Sequence, residues 1–379
     1  MQSLFNLPQG SYLLSHSVGC LPKLAETHLQ HNYLDSWREL GGDAWPKWLD
    51  LLQGFNQQLG ELLGGNAEDF CPQANVSSGL CKYLQSLPEL PHSRQNTVLM
   101  HATAFPSMGF VVQALGRQGY QLKLIDSKLD ATDVDVWQQH LTADVAGVVI
   151  THVHSNTGVL SPVAKITQLC RSRDGKQQGN GQEIKVIVDV AQSVGVVPIA
   201  LNAWQADVVL GSCVKWLCGG PGAGFMWLNP QHVAQLKPVD VGWFSHEDPF
   251  EFDIEHFSYA KGAMRFMGGT PSVAAFAMAQ GSIKQIQQLG VGSIQVHNHE
   301  LKKIVLDGAR PHLTQDIDLA TTGGTLCLSL GEKQAARLEQ QMRQANCLFD
   351  RRENTLRLSF HIYNTPEQAE QVAELLHGW

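Results

Sequence analysis

Two charged residues stand where the sequence predicts that buried strands end, and their types could do chemistry together. Asp189 closes an apolar run that begins at Lys185, and Lys215 follows the apolar stretch that begins at Ala206. Short apolar runs are typical of parallel strands buried on both faces, and ligands gather at the carboxyl ends of such strands. A lysine amine in an apolar site loses its charge readily and can form a Schiff base with an aldehyde. The pair therefore predicts a cofactor site.

Pyridoxal phosphate (PLP) is the cofactor whose chemistry needs this pair. A carboxylate below the pyridine nitrogen keeps that nitrogen protonated, so that the ring can accept electrons from a carbanion. Taken alone, the pair is also compatible with a salt bridge or a solvated strand end. The other motifs of the chain decide between these interpretations.

The segment from Asn75 to Leu84, NVSSGLCKYL, contains a candidate anion site. Free backbone N–H groups and the helix dipole favour an anion at a helix start, and the hydroxyls of Ser77 and Ser78 add donors. The same pattern is compatible with a simple N-cap. Ser212, three residues before Lys215, is close enough in sequence to assist in binding a phosphate.

A guanidinium near the end of the chain is a candidate receptor for a carboxylate. Arg357 lies in the strand-like run NTLRLSF. A guanidinium at a strand end can bind a carboxylate through two parallel hydrogen bonds, which fixes the orientation of an amino acid. We expect Arg357 to hold the α-carboxylate of a small-molecule amino-acid substrate.

These motifs resemble the class V aminotransferase family of fold-type I PLP enzymes, and within it the kynureninases are most similar. The resemblance spans most of the chain and rests on five segments: FPS at Phe105, DVAQS at Asp189, GSCVKW at Lys215, VGWFSH at Trp243 and RLSFHIYNT at Arg357. It implies that Asp189 pairs with the pyridine nitrogen and that the start of the NVSSG helix holds the cofactor phosphate.

The resemblance also implies roles for residues around the cofactor ring. Phe105 would stack on the pyridine face, because an aromatic ring on a flat heterocycle gains contact area. Thr151 would contact the cofactor. Gln192 would bind the phenolic oxygen or stack below the ring, and Ser155 is a further candidate for the phenolic oxygen.

Three further roles implied by the resemblance concern the substrate side and a neighbouring subunit. The indole N–H of Trp243 would reach the cofactor phosphate. Thr270 belongs to a stretch that crosses to the neighbouring subunit and would bind the phosphate or the substrate there. His16, in a polar turn near the N-terminus, would lie close to the substrate. A homodimer with shared active sites is therefore expected.

Several positions depart from the kynureninase pattern. Met108 stands where kynureninases have Asp, Val214 where Tyr or His usually precedes the lysine, and Gln192 where kynureninases have His. Gly41 and Gly42 lie about where kynureninases place a substrate-facing His. Two reactions stay open: hydrolytic Cβ–Cγ cleavage of a kynurenine-type substrate, and transamination of another amino acid.

Two further alternatives are considered. A cysteine desulfurase needs a nucleophilic Cys on a flexible loop, whereas Cys327 lies in the strand-like run TLCLSL and is predicted to be buried. A non-catalytic PLP-fold protein would have no need of Lys215, Asp189 and Arg357 together.

The composition limits the class of protein. The chain has 379 residues, of which 43% are hydrophobic and 16% charged, and this composition predicts a well-packed enzyme. Its net charge of -8 argues against a nucleic-acid or acidic-membrane partner. Its eight cysteines are scattered and show no metal-ligand spacing, which predicts reduced thiols and no metal. No apolar run approaches the roughly 18 to 20 residues of a membrane helix, and the N-terminus lacks a signal-like segment. Cytoplasmic residence is expected.

The resemblance implies an α/β fold of fold-type I. We expect an N-terminal arm (residues 1–20), a large PLP-binding domain with a mainly parallel seven-stranded sheet between helices (residues 21–270), and a small α+β domain (residues 271–379). Helical periodicity from Leu24 to Leu63 is interrupted at Gly41 and Gly42 and again at Pro46. The Gly/Gln-rich stretch 171–183 predicts an exposed loop.

Overall fold

The structure is a computed structural model that describes residues 1–87, 95–173 and 183–377. The helices in chain order are α1 (Lys23–Leu29), α2 (Ser36–Leu40), α3 (Trp45–Leu63), α4 (Val76–Gln85), α5 (Pro106–Ala114), α6 (Val134–His140), α7 (Val163–Arg173), α8 (Leu201–Trp204), α9 (Val273–Leu289), α10 (Val291–Ala309), α11 (Glu332–Gln344) and α12 (Pro366–His377). The strands are β1 (Phe5–Asn6), β2 (Ser11–Tyr12), β3 (Leu21–Pro22), β4 (Phe70–Gln73), β5 (Thr97–His101), β6 (Gln121–Ile125), β7 (Val145–Thr151), β8 (Lys185–Asp189), β9 (Val208–Ser212), β10 (Gly224–Leu228), β11 (Thr325–Ser329), β12 (Cys347–Leu348), β13 (Asp350–Arg352) and β14 (Thr355–Ser359).

A seven-stranded sheet forms the centre of the fold, in the order β4-β10-β9-β8-β7-β5-β6. All neighbouring pairs from β9 to β6 are parallel, whereas β10 is antiparallel to both β4 and β9. Strands β7 and β8 are rich in Val and Ile, and every residue of β7 is buried. Such sequences are expected where helices cover both faces of a parallel sheet. The predicted mainly parallel seven-stranded sheet is confirmed.

The connection from β9 to β10 carries the lysine. These strands are antiparallel neighbours, with Ser212 opposite Gly224 in the register. Lys215 and the glycine-rich run after it lie in the turn between them. The glycine-rich run therefore closes a hairpin between two strands, whereas a dinucleotide-binding loop would join a strand to a helix.

A second hydrophobic core lies around the three-stranded antiparallel sheet β11-β14-β13. Helices α10, α11 and α12 contribute to it, and Leu13 from the N-terminal segment is fully buried within it. Helix α9 packs instead with the larger hydrophobic core, which contains the strands of the seven-stranded sheet, through residues such as Phe276 and Ile283. The predicted division at residues 20 and 270 into separate domains stays a proposal.

The helical region after residue 22 differs from its prediction at one residue. A π-helical segment, Gln30–Asp35, joins α1 to α2, and a 3-10 turn, Gly41–Ala44, follows at the predicted glycine interruption. Pro46 does not interrupt a helix but lies in the first turn of α3. A backbone N–H in the first turn of a helix has no intrahelical acceptor. Proline, which lacks this N–H, is therefore tolerated there.

Helix α7 continues to Arg173, so the predicted exposed loop can begin only after it, and residues 174–182 of that stretch lie outside the described residues. None of the helices in the described ranges combines the length and apolar character needed to cross a membrane. The same ranges contain no cluster of three or more His, Cys, Asp or Glu residues with the geometry of a metal site.

Candidate active site

A pocket of about 170 Å³ lies at the carboxyl ends of the central strands. Thr151, Asp189 and Ser212 are the last residues of β7, β8 and β9, and all three line the pocket. They meet because the strands are parallel: Thr151 is opposite Asp189, and Asp189 is opposite Leu210. The predicted site residues that line the pocket are Ser77, Phe105, Thr151, Asp189, Gln192, Ser212 and Lys215, together with the further candidate Ser155.

Asp189 is a buried carboxylate with one strong local partner. Its Oδ1 accepts a hydrogen bond from the backbone N–H of Ala191 at 2.8 Å. Burial raises the pKa of Asp189, while this hydrogen bond and the nearby Lys215 act in the opposite direction. A protonated nitrogen placed against this carboxylate would replace the solvation that burial has removed.

Lys215 presents an amine without a partner. Its Nζ lies 5.6 Å from the centre of the Phe105 ring. Within the described ranges, no hydrogen bond or ion pair of the Lys215 Nζ is observed. Burial lowers the pKa of Lys215, Asp189 opposes this shift, and Arg357 and Arg352 add to it. A larger neutral fraction follows, and the neutral amine is the form that attacks a carbonyl.

The start of α4 forms one wall of the pocket. Asn75 caps this helix, because its Oδ1 accepts the backbone N–H of Ser78 at 2.8 Å. Val76 and Ser77, the first two helical residues, line the pocket, and backbone N–H groups at these positions have no intrahelical acceptor. Ser78, the other predicted phosphate-binding hydroxyl, is not among the residues that line the pocket, and its amide is used in the cap. The wall combines free amides with a helix of ten residues, which suits an anion.

Three pocket residues carry buried side-chain oxygens without a hydrogen-bond partner: Thr151 Oγ1, Ser155 Oγ and Gln192 Oε1. Buried polar atoms in proteins are nearly always paired, so unpaired atoms lining one pocket indicate a polar ligand. The amide of Gln192 is held by its Nε2, which donates to the carbonyl oxygen of His16 at 3.0 Å. Asp189 fits the ring nitrogen of PLP, and Lys215 fits its aldehyde. These three oxygens fit the phenolic oxygen, and the start of α4 fits the phosphate.

Arg357 lies at the edge of the pocket and does not line it. Its Nη1 donates to the carbonyl oxygen of Ser155 at 2.9 Å, and Ser155 is a pocket residue. Its Nη2 pairs with the carboxylate of Asp350, the residue directly opposite on β13. Nε of Arg357 is buried and has no partner.

His16 also lies outside the pocket lining. Its Nδ1 is in hydrogen-bond contact with Ser359 Oγ, and its Nε2 lies 3.5 Å from Asp350 Oδ2. Burial, followed by the charges of Arg357, Lys215 and Arg352, lowers the pKa of His16 to about 3. The ring is therefore neutral near pH 7.

Trp243 and Thr270 are not at the pocket of their own chain. The Trp243 ring packs edge to face on Trp45, with ring centres 5.6 Å apart, and Thr270 is exposed. Their two segments are tied together because Ser245 Oγ accepts the N–H of Gly268 at 2.8 Å. The predicted contact of Trp243 with the cofactor phosphate and the predicted action of Thr270 in a neighbouring subunit's site both stay predictions.

The positions that depart from the kynureninase pattern have clear local roles. Met108 is buried and lines the pocket, so it supplies an apolar wall. Val214 contributes its backbone, since its carbonyl oxygen accepts the N–H of Gly19 at 2.8 Å. A Cβ on Gly19 would lie 2.2 Å from the carbonyl oxygen of Lys215. The approach of the N-terminal segment to the lysine turn therefore requires glycine.

Sequence reasoning missed two residues of this region. Asn75 lines the pocket and caps α4, and the preference of Asn for N-cap positions was the available signal. Asp350 contacts Arg357, and the short hairpin spacing between DRR and TLR would have placed the two residues opposite each other.

Cys327 is confirmed as a buried residue. It lies in β11 with 7% of its surface exposed, and burial raises its pKa to about 12. The thiolate, which is the nucleophilic form of cysteine, is therefore scarce at neutral pH.

Comparisons with known proteins agree with this geometry. The family described as aminotransferase class-V matches residues 83–372 of the chain. The kynureninase of Deinococcus radiodurans is 29% identical over 301 residues, which cover 77% of this chain and 69% of that protein. The uncharacterized aminotransferase YcbU of Bacillus subtilis is 23% identical over 336 residues, covering 88% of this chain and 85% of that protein.

Solved structures show the same fold. The cystine C–S lyase C-DES, in complex with cysteine persulfide, superposes with a TM-score of 0.86 at 21% identity, covering 98% of each chain. A cysteine desulfurase from Thermococcus onnurineus has a TM-score of 0.79 at 18% identity, covering 98% of this chain and 94% of that one. The predicted fold-type I architecture is confirmed. The chain is therefore a pyridoxal phosphate-dependent enzyme of the class V aminotransferase family.

Proposed function

We propose that this enzyme cleaves the Cβ–Cγ bond of a kynurenine-type amino acid by hydrolysis. The observation that carries the proposal is the unpaired amine of Lys215 in a pocket that also contains Asp189 and Phe105. Sequence similarity to kynureninases, 29% identical in one case, supports this reaction within the family. The FPS motif at Phe105, which is similar to that of kynureninases, supports it as well.

Different pocket residues would contact different parts of the cofactor. Asp189 would hold a proton at the ring nitrogen, and Phe105 would cover the ring. Ser77, Ser212 and the first amides of α4 would bind the phosphate. The phenolic oxygen would contact Thr151, Gln192 or Ser155, whose side chains otherwise have buried unpaired oxygens.

Bound PLP supplies an aldehyde that takes an amine as a Schiff base, and a pyridine ring that withdraws electrons from the substrate Cα. Lys215 removes the Cα proton with its Nζ, and its lowered pKa provides the neutral amine for that step. Arg357 orients the substrate by binding its α-carboxylate. Met108 and Val153 keep part of the pocket apolar. Hydrolysis would require one water molecule to add to the Cγ carbonyl of the substrate, so that the Cβ–Cγ bond breaks and alanine and an aromatic acid are released.

Transamination of another amino acid is the second candidate. Gln192, which stands where kynureninases have His, favours it, and Lys215 and Arg357 would keep the same roles. Similarity to the aminotransferase YcbU adds support. Desulfuration by attack of Cys327 is disfavoured, because the thiol is buried and its pKa is raised.

We also propose that the enzyme is a homodimer in which Trp243 and Thr270 complete the partner's site. The segment after Trp243 exposes apolar residues that a second copy could cover, with Phe252 79% and Ile254 99% exposed in the single chain. Exposed apolar surface of this kind marks interaction sites.

The deciding experiment supplies the purified protein with PLP and L-kynurenine and follows anthranilate fluorescence and alanine release. Equal amounts of anthranilate and alanine would support hydrolysis, and Lys215→Ala, as the matched control, should produce neither. Product formation only with another amino acid and a 2-oxo acid would support transamination. Absence of both products would overturn the proposed reaction.

A further inference from the structure

The guanidinium of Arg357 already carries a carboxylate from its own chain. Asp350 and Arg357 are paired residues of the antiparallel strands β13 and β14, so their side chains project from the same face of the sheet. The Asp350 carboxylate contacts Nη2 of Arg357, while Nη1 is held by the carbonyl oxygen of Ser155. The pairing is therefore fixed by the register of the sheet and does not depend on a flexible loop.

This contact conflicts with the role of Arg357 in the proposed function. An α-carboxylate that binds the same guanidinium would come close to Asp350, and two carboxylates at such a distance repel each other. The Arg357 side chain is only 3% exposed, so water screens this repulsion weakly. Substrate binding and the Asp350 contact therefore oppose each other.

Asp350 has a second partner within reach. His16 Nε2 is buried, has no hydrogen bond and lies 3.5 Å from Asp350 Oδ2. The Asp350 side chain is 27% exposed, which leaves room for it to move. A carboxylate released from Arg357 would thus gain a hydrogen bond from Nε2–H of the neutral His16 ring, in the tautomer whose Nδ1 accepts from the Ser359 hydroxyl.

We propose that Asp350 is an internal competitor of the substrate carboxylate, which occupies Arg357 in the free enzyme and turns to His16 when an amino acid binds. Asp350 thereby weakens the binding of every amino acid by a similar factor, and selectivity is left to contacts with the side chain. This inference rests on the proposed role of Arg357 in binding the substrate carboxylate.

The test compares two ligands that differ only in a carboxylate. 2-Aminoisobutyrate has no Cα hydrogen and so reports binding without proton removal, and tert-butylamine replaces its carboxylate by a methyl group. Dissociation constants are measured from the absorption change of the PLP-loaded enzyme. Asp350→Asn keeps the size of the side chain and removes the competing charge. Asp316→Asn, which removes the same charge from the exposed Arg310–Asp316 pair, is the matched control.

Asp350→Asn should tighten 2-aminoisobutyrate about tenfold, the scale of one charged hydrogen bond, and leave tert-butylamine within about twofold. Asp316→Asn should change neither ligand. Weaker binding of 2-aminoisobutyrate to Asp350→Asn would overturn the proposal, because it would mean that Asp350 only holds Arg357 in place. Equal changes for both ligands would overturn it as well.

Thermal unfolding of each variant checks that it folds. If Asp350→Asn does not fold, Asp350→Ser replaces it with the same expected tightening, and Asp350→Glu, which keeps the charge, should not tighten either ligand. The kynurenine assay separates the two proposals. Tightening without anthranilate formation would overturn the proposed reaction alone, and anthranilate formation without tightening would overturn the competitor role alone.

Discussion

The amine nitrogen of Lys215 lies 5.6 Å from the centre of the Phe105 ring, and 40% of the Phe105 surface is exposed in the free protein. An exposed aromatic ring beside the amine of the half-buried Lys215 leaves a place for a flat molecule joined to that amine. Contact area and offset geometry would then favour stacking of a pyridine ring on Phe105.

Replacing Phe105 by alanine should therefore weaken PLP binding about tenfold, since one aromatic contact contributes about 0.5–1.5 kcal/mol beyond burial. Titration of the apoenzyme with PLP measures the change. Phe110→Ala is the control, because Phe110 lies in helix α5, which begins directly after Phe105, is 63% exposed and does not line the pocket. Equal affinities for the two variants would contradict stacking on Phe105.

Asp189→Asn should separate cofactor chemistry from folding. Asn can still accept the N–H of Ala191, so the turn should keep its structure. Because burial disfavours the charged carboxylate, the apoenzyme should be as stable as the parent or about 1 kcal/mol more stable in urea unfolding. Turnover should fall about a hundredfold or more, because the ring nitrogen loses its proton partner. A large loss of stability together with normal turnover would contradict this role.

Much of the pocket was predictable because it follows from the ends of strands. Asp189, Lys215 and Thr151 sit at the boundary between apolar runs and polar turns, and parallel strands bring those boundaries to one edge of the sheet. The pattern of apolar residues fixes the strands, and the topology then brings the residues together.

The edge of the site was less predictable, because it depends on distant contacts. The 3.0 Å hydrogen bond from Gln192 to the carbonyl of His16 joins residues that no local pattern connects. Asp350 was missed because its function depends on the register of a hairpin and not on its own sequence context. Pro46 was misread because a proline in a first helical turn and one that interrupts a helix look alike in sequence.

Acid should destabilise the protein through its buried histidines. Burial lowers the pKa of His152 to about 3 and that of His361 to about 4, from the ordinary 6.5. Above pH 6.5 both folded and unfolded rings are neutral. Below it the unfolded chain binds protons that the folded protein does not bind until about pH 4 to 3. The free energy of unfolding should therefore fall with decreasing pH, by up to about 1.4 kcal/mol per pH unit for each histidine.

Urea unfolding of the apoenzyme between pH 7 and pH 5 measures this slope. His152→Gln can keep the 2.8 Å hydrogen bond to Ser193 without a titrating ring. Its slope should be smaller than that of the parent by up to about 1.4 kcal/mol per pH unit. Identical slopes would show that His152 is protonated in the folded state.

Cys327 should be inert in the native enzyme. Brief treatment with iodoacetamide, followed by peptide mass spectrometry, should modify the half-buried Cys81 before Cys327. Cys327→Ala should keep turnover within about twofold, since large effects require a reacting thiolate. Rapid labelling of Cys327, or loss of turnover in a folded Cys327→Ala variant, would support a desulfurase.

Reduction with borohydride tests the central role of Lys215 most directly. Treatment of the PLP-loaded enzyme should fix a pyridoxyl group on one lysine, which peptide mapping identifies. Lys302 is the alternative candidate, because it is buried and its pKa is lowered to about 8, yet its Nζ already donates to the carbonyl of Gly323. We predict labelling of Lys215 and none in Lys215→Ala; a label on Lys302, or on no lysine, would contradict the account.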